Sequence, residues 1–329
     1  MGKRIAHYDN ARGILILFVV LVHILAAANP NWDIRAYNLA HGFLTAFLMP
    51  AFFLLSGMLF NGEKWRKKGW AAFLIQKAKA LLVPYLFFEL LGILYKHFVL
   101  GSVSIADGLL LTLTLRCNIG ADWFLPAMFV SNLLFYACCR YLPQGRTGTL
   151  LLAVLAALCL FSAWVLPRGL FLDTLIRGLL GFAFMTVGQL LRKPLEAHSL
   201  PKTVVSLLLT LVFSALTLKF AKNDFYECRV TDPPLFLLCG LAGTSFVLGV
   251  SKMIRWRPLA WLGENSIVVM GTHQLILYTL QSSSSPLWVL GTLTLILVIE
   301  LPLVLLLERF CPFLVGKHFK DKYHEKKRA

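Results

Sequence analysis

Residues 12–28 read RGILILFVVLVHILAAA, an apolar run whose polar side chains are Arg12 at its start and His23 further along. A helix rises about 1.5 Å per residue, so about 20 such residues cross a hydrocarbon core about 30 Å thick. Backbone amides in lipid must be bonded within their own segment, and the period-2 alternation of a strand is absent. The run therefore predicts a transmembrane helix with a histidine near the middle of the membrane.

The same pattern recurs along the whole chain. Of its 329 residues, 58% are hydrophobic and 15% are charged, against roughly 25% charged in soluble domains. The apolar runs predict ten spans: 12–28, 42–60, 81–99, 123–139, 149–166, 173–191, 203–220, 234–252, 264–280 and 287–306. The sequence thus predicts an all-α polytopic membrane protein, with one transmembrane domain over residues 1–311 and a basic tail over residues 312–329.

The distribution of Lys and Arg predicts the orientation. The formal net charge is +16, and with a cytoplasmic N-terminus 24 of the 32 Lys and Arg residues fall in inner segments. Inner loops of membrane proteins carry this excess, so both termini are expected on the cytoplasmic side of the membrane. The charge also suits contact with anionic lipid or cofactor phosphates. It does not indicate a nucleic-acid binder, whose basic residues lie on a solvated face of a folded domain.

The seven cysteines show no metal-ligand spacing, and no metal is expected. Cys117 and Cys228 both fall in predicted outer loops, where oxidising conditions permit a disulfide. A disulfide between them and two free thiols are both open alternatives.

Ionisable side chains inside spans are costly, so each is a functional candidate. The chain has four at predicted intramembrane depth: His23, Glu89, His273 and Glu300. His23 follows Arg12 by eleven residues, which places it about 16 Å deeper along a helix. A neutral imidazole there can accept a proton near pH 7. The alternative is a core histidine bonded to a neighbouring helix.

Five short motifs occur in the order that is typical of one family. They are Asp9-x-x-Arg12-Gly13 with His23, Met49-Pro50 through Ser56-Gly57, Lys77-Ala78-Lys79 ahead of Pro84-Tyr85, Trp123-Phe124-Leu125, and Gly263-x-x-Ser266 with His273. Together they resemble the acyltransferase-3 family of membrane acyltransferases, over residues 5 to 306, and most closely its sugar O-acetylase branch.

Two positions depart from the family pattern. Relatives often have a histidine just before the Met-Pro of the second span, where this chain has Leu48, with His41 seven residues earlier. A second basic residue expected four positions before Pro84 is Ala80, and Lys79 is the neighbouring alternative. The contacts made at these two positions are therefore left open.

The resemblance implies transfer of an acyl group, usually acetyl, from acetyl-CoA to a hydroxyl of a cell-surface glycan or its lipid-linked precursor. It implies His23 as general base, or as the site of a covalent acetyl-imidazole, with Arg12 and Asp9 beside it. His273, Glu89 and Trp123 are then expected at the acceptor. The CoA phosphates would meet basic residues at the inner face: Arg12, Arg66, Lys67, Lys68, Lys77 and Lys79.

The main alternative is a proton-coupled transporter or exporter, since ten spans with buried Glu and His also suit transport. Transporters of this kind usually carry paired repeats and broken helices. No repeat is evident between residues 1–160 and 161–306.

Overall fold

The computed structural model describes residues 6–254 and 256–317. The α-helices are α1 Ala6–Ala28, α2 Arg35–Met58, α3 Gly62–Lys77, α4 Val83–Phe98, α5 Ile105–Leu113, α6 Phe124–Tyr141, α7 Arg146–Leu160, α8 Ser162–Val165, α9 Leu170–Leu190, α10 Arg192–Glu196, α11 Leu200–Phe220, α12 Pro233–Met253, α13 Arg257–Glu264, α14 Ser266–Tyr278 and α15 Pro286–Phe310. In these two ranges the extended pairing is one isolated bridge, between Asp224 and Arg229. The predicted all-α fold is confirmed.

Within the described part of the chain, eight segments are long and apolar enough to cross a membrane: His7–Ala28, Arg35–Met58, Gly62–Phe98, Gly120–Tyr141, Leu170–Leu190, Leu200–Phe220, Pro233–Met253 and Pro286–Phe310. Two shorter apolar helices, α7 and α14, lie where the fifth and ninth spans were predicted. The eight and the two together correspond to the ten predicted spans. An even number of spans returns the chain to its starting side, as the predicted orientation requires.

Two spans differ in their limits from the prediction. The helical segment that contains the third span begins at Gly62, ahead of the predicted 81–99, because a π-helical turn at Ala78–Leu82 joins α3 to α4. Its backbone is non-helical at Gly69. The ninth predicted span, 264–280, corresponds to α14, which begins at Ser266 after a break at Asn265, whose side-chain amide donates to the Trp261 carbonyl at 2.9 Å. The predicted inner residues Lys3, Arg4 and Arg255, and residues 318–329 of the predicted tail, lie outside the described residues.

Helix α1 lies at the centre of the bundle. It packs against α2, α12, α13, α14 and α15, and Leu15, Val20 and Ile24 are fully buried. By contrast, α11 and α15 bury only 28% of their most apolar stretches. The remaining surface of α11 and α15 is rich in Leu and Val, which suits contact with lipid. His23 therefore belongs to a helix enclosed by protein.

The first turns of α1 lie unusually close to α13. A Cβ atom at Gly263 would be 1.8 Å from the Asp9 carbonyl oxygen, and one at Gly13 would be 2.2 Å from the Leu259 carbonyl oxygen. Only glycine allows two backbones to approach so closely, as at other small-residue helix crossings in membranes. This crossing sets the position of Asp9 and of Arg12 next to it.

Candidate active site

A cavity of about 470 Å³ opens inside the bundle, within the usual volume of small-molecule sites. Its lining comes from the spans that carry the family-like motifs and from the turn between α13 and α14. Arg12, Lys64 and Lys77 line one end, which the predicted orientation places at the cytoplasmic face. His23 and Trp123 line the part nearer the outer face. The cavity thus connects a basic inner end with a deep imidazole.

His23 is partly exposed to this cavity and contacts a second histidine. Its Nδ1 lies 2.9 Å from the Val19 carbonyl oxygen and 3.1 Å from Nε2 of His273. The two ring centroids are 4.9 Å apart. His273 is fully buried, and its Nδ1 lies 2.7 Å from the Val269 carbonyl oxygen. Packing of α14 against α1 therefore joins two predicted site residues that are 250 positions apart.

The inner end of the cavity holds three cationic side chains. The Lys77 ammonium lies 5.9 Å from the Phe60 ring and 5.7 Å from the Phe73 ring. Arg12 reaches Asp9, whose Oδ1 is 3.4 Å from Nη1 of Arg12, and Asp9 itself is buried. Asp9 thus contacts Arg12 rather than His23. Glu264 also lines the cavity, so three cations stand against one lining carboxylate. This excess of positive charge in a concave site favours an anionic ligand.

The other predicted basic residues do not line the cavity. Arg66 donates from Nη2 to the Cys139 carbonyl at 2.6 Å, which ties α3 to the end of α6. Lys68 lies 5.7 Å from the Trp65 ring, and Lys67 and Lys79 are exposed. Lys64 lines the cavity, although it was not among the basic residues selected from the sequence. Its position in the same basic stretch was the only signal available, and the helix rotation decides which lysines point inward.

Glu89 is fully buried, and it does not line the cavity. Its Oε2 accepts from the Asn118 backbone N–H at 2.6 Å, from the Asn118 amide at 2.8 Å and from the Thr112 hydroxyl at 3.0 Å. Its Oε1 accepts from the Ile119 N–H at 3.1 Å. The structure therefore places Glu89 in a cluster that holds residues 112–119 and not at the predicted acceptor position.

The segment held by Glu89 leads directly to Trp123. The side chain of Gln274 accepts from the Ala121 N–H at 3.0 Å, which ties the same segment to α14. Trp123 lines the cavity, and the rings of Phe225 and Trp123 are stacked with centroids 5.7 Å apart. The Arg177 guanidinium lies 5.2 Å from the Trp123 ring. Trp123 is thus a wall of the cavity, supported from behind by an outer loop.

Several polar residues that sequence analysis did not select also line the cavity. Ser56 and Ser266 occur within the quoted motifs, which was the available signal. Asn132 lines it from α6, and its amide donates to the Met128 carbonyl at 2.7 Å. Glu300, the fourth intramembrane candidate, is buried outside the cavity, 2.7 Å from the Thr272 hydroxyl.

All seven cysteines are free thiols, so the structure does not contain the disulfide that was one alternative for Cys117 and Cys228. The Cys228 thiol lies 3.4 Å from the Asp173 carbonyl oxygen, and burial raises the pKa of Cys228 to about 11. Among residues 6–254 and 256–317, no group of three or more His, Cys, Asp or Glu side chains is placed to hold a metal ion.

The fold and cavity define a multi-pass membrane protein with an internal site between a basic inner face and a pair of histidines. A family model described as an acyltransferase domain matches residues 5–308, nearly the whole chain. The chain therefore belongs to the acyltransferase-3 family and is a membrane acyltransferase. No curated protein and no solved structure matches it.

Proposed function

We propose that this acyltransferase moves an acetyl group from acetyl-CoA to a hydroxyl of a cell-surface glycan or a lipid-linked glycan precursor, in a bacterial plasma membrane. One observation carries the proposal. A single cavity is lined by Arg12, Lys64 and Lys77 at one end and by His23 at the other. A donor with an anionic head and a reactive end on a long arm matches that arrangement.

Charge and length support this choice of donor. Arg12, Lys64 and Lys77 would hold the CoA phosphates at the cytoplasmic face, with Arg12 able to make two parallel bonds to one phosphate. Arg12 and His23 are separated by about 16 Å of helix, and a pantetheine arm spans roughly 15 to 20 Å. The thioester would then lie beside His23, away from bulk water.

The reaction requires one proton transfer. The acceptor hydroxyl oxygen attacks the thioester carbonyl carbon, the C–S bond breaks, and the hydroxyl proton passes to His23 and then to the departing CoA thiolate. General-base catalysis of this kind is typically worth about 10² to 10⁴ in rate. Alignment of the hydroxyl and thioester in one cavity supplies further acceleration.

The acceptor would approach from the outer side. Trp123 offers an aromatic wall on which a sugar ring can stack, and it lies at the outer end of its span. Ser56, Asn132 and Ser266 add hydroxyl and amide groups that can bond saccharide hydroxyls. Membrane lipid would surround the bundle and would hold the lipid tail of a lipid-linked acceptor.

The test is transfer of label from acetyl-CoA into glycan. Membranes that contain the protein should move labelled acetyl into envelope glycan, and His23→Ala should abolish this transfer at unchanged protein abundance. His97→Ala is the matched control, because His97 lies at the end of α4, outside the cavity, with Nδ1 3.0 Å from the Val103 carbonyl oxygen. Undiminished transfer by the His23 variant contradicts the proposal. Label that stays on CoA while glycan accumulates in vesicles indicates transport instead.

Omitting the acceptor separates the two chemical routes open to His23. Direct transfer leaves no acetyl on the protein when labelled acetyl-CoA is supplied alone. An acetyl-imidazole intermediate would instead appear as labelled protein that is lost on adding the acceptor. Rapid quenching followed by mass analysis of the His23 peptide distinguishes the two.

A further inference from the structure

We propose that His273 is a positioning residue for His23: its Nε2 accepts a hydrogen bond from His23 Nδ1–H, which leaves the other nitrogen of His23 unprotonated for the acceptor hydroxyl. This inference rests on the proposed function of His23 as the base. It assigns to His273 a role in proton transfer without contact with substrate, since His273 is fully buried and does not line the cavity.

The proton on His273 is assigned by its carbonyl partner. Nδ1 of His273 lies 2.7 Å from the Val269 carbonyl oxygen, which can only accept a hydrogen bond. Nδ1 must therefore carry the hydrogen. A neutral imidazole has one N–H, so Nε2 of His273 presents a lone pair.

The same argument then assigns the proton on His23. Its Nδ1 lies 2.9 Å from the Val19 carbonyl oxygen and 3.1 Å from the lone pair on His273 Nε2. Both neighbours are acceptors, so Nδ1 of His23 carries the hydrogen and shares it between them. Nε2 of His23 is then the basic nitrogen, and His23 is the member of the pair that lines the cavity.

The pair also stabilises the charge that forms during transfer. When Nε2 of His23 takes the hydroxyl proton, the ring becomes an imidazolium, and its Nδ1–H becomes a charged donor to His273 and Val19. Hydrogen bonds from charged donors are roughly twice as strong as neutral ones, and more so away from water. The chain of bonds ends at the Val269 carbonyl, which cannot take a proton. His273 therefore orients and stabilises His23 and does not pass the proton onward.

Two substitutions at one position test the assignment. His273→Leu removes the acceptor and keeps an apolar side chain of similar size. His273→Gln places a carbonyl oxygen at about the reach of Nε2 and so keeps the acceptor. We expect kcat to fall roughly ten- to a hundredfold in the Leu variant, the equivalent of one charge-assisted hydrogen bond. The Gln variant should stay within a few-fold of the parent, with the KM for acetyl-CoA unchanged in both.

The outcomes separate this inference from the proposed function. If His23→Ala transfers acetyl normally, the proposed function falls, and this inference falls with it. If His23→Ala is inactive but His273→Leu has the parent kcat, only the role of His273 is wrong. Equal losses in the Leu and Gln variants also overturn it, because a packing role does not depend on an acceptor. CoA binding by each variant, measured calorimetrically, confirms that the inner end of the cavity is intact.

Discussion

Two buried polar sites in this bundle have different bonding, although both lie at intramembrane depth. Glu89 has both carboxylate oxygens occupied by four hydrogen bonds and has no exposed surface. His23 has one nitrogen engaged with Val19 and His273 and remains partly exposed to a cavity. This difference in bonding indicates a structural role for Glu89 and a chemical role for His23. A group whose bonding capacity is filled holds the fold, whereas a group with a free atom at a cavity can react.

The comparison also explains why intramembrane charge alone is a weak guide to the active site. Both residues satisfy the rule that an ionisable group in a span is a functional candidate. Glu89 contributes to the cavity only indirectly: it bonds residues 118 and 119, and the same segment leads to Trp123 in the cavity wall. Substitutions should therefore divide into those that reduce turnover at full stability and those that reduce stability.

The largest expected effect is on turnover. His23→Gln keeps a polar side chain of similar size but removes the basic nitrogen, so kcat should fall by about 10² to 10⁴. The melting temperature in detergent should fall only slightly, because the loss at Nδ1 is confined to its contacts with Val19 and His273, and a neutral hydrogen bond contributes about 0.5–1.5 kcal/mol. An assay of the purified protein with labelled acetyl-CoA gives kcat, and thermal unfolding of the same protein gives the melting temperature. A strong fall in melting temperature would place His23 with Glu89 as a structural group.

Next is the stability of the Glu89 cluster. Glu89→Ala leaves the N–H groups of Asn118 and Ile119 buried without their acceptor, and we expect unfolding to become easier by about 2–4 kcal/mol. Glu89→Gln keeps one acceptor oxygen and should lose about half as much. Thermal unfolding of the three proteins in one detergent checks the order. If Glu89→Ala has the stability of the parent but no activity, Glu89 takes part in the reaction rather than in holding the fold.

Substitutions at the inner end of the cavity, where CoA is proposed to bind, should change the KM for acetyl-CoA rather than kcat. Lys77→Met removes a cation from the cavity and should raise the KM for acetyl-CoA about tenfold. Lys79→Met is the matched control, two residues along and exposed outside the cavity, and should change the KM less than twofold. The difference between the two should shrink at high salt, as expected for a phosphate contact. Equal increases in KM for the two variants would indicate that both lysines act only through the general positive charge at the membrane surface.

The smallest expected effect is on the KM for the acceptor, through the ring of Trp123 in the cavity wall. Trp123→Leu keeps an apolar side chain but removes the aromatic face, so the KM for the glycan should rise about three- to tenfold. The KM for acetyl-CoA should not change, since Trp123 lies away from Arg12 and Lys77. Initial rates over a range of glycan concentrations test this. A changed donor KM with an unchanged acceptor KM would place the donor arm against Trp123.

Much of the fold and part of the site follow from local sequence. The ten predicted spans correspond to eight long and two shorter apolar helices, although hydropathy cannot detect the π-helical turn at Ala78–Leu82 that joins the third span to α3. His23, Arg12 and Lys77, which the sequence selected from three separate motifs, all line one cavity. The sequence could not show that Lys77 faces the cavity whereas Arg66, Lys67, Lys68 and Lys79 do not. Successive helix residues differ by about 100° in direction, so neighbours in sequence point to different sides.

Hydropathy and the Lys and Arg bias are properties of short windows, so the chain alone indicates the class of protein and the approximate number of spans, and it predicts their orientation. The contact between His23 and His273 joins residues 250 positions apart and depends on how α14 is rotated against α1. The same holds for Glu89, whose four donors come from residues 23 to 30 positions away. Only helix packing decides which buried polar atoms are bonded and which face a cavity, because that outcome depends on the relative rotation and separation of helices distant in sequence.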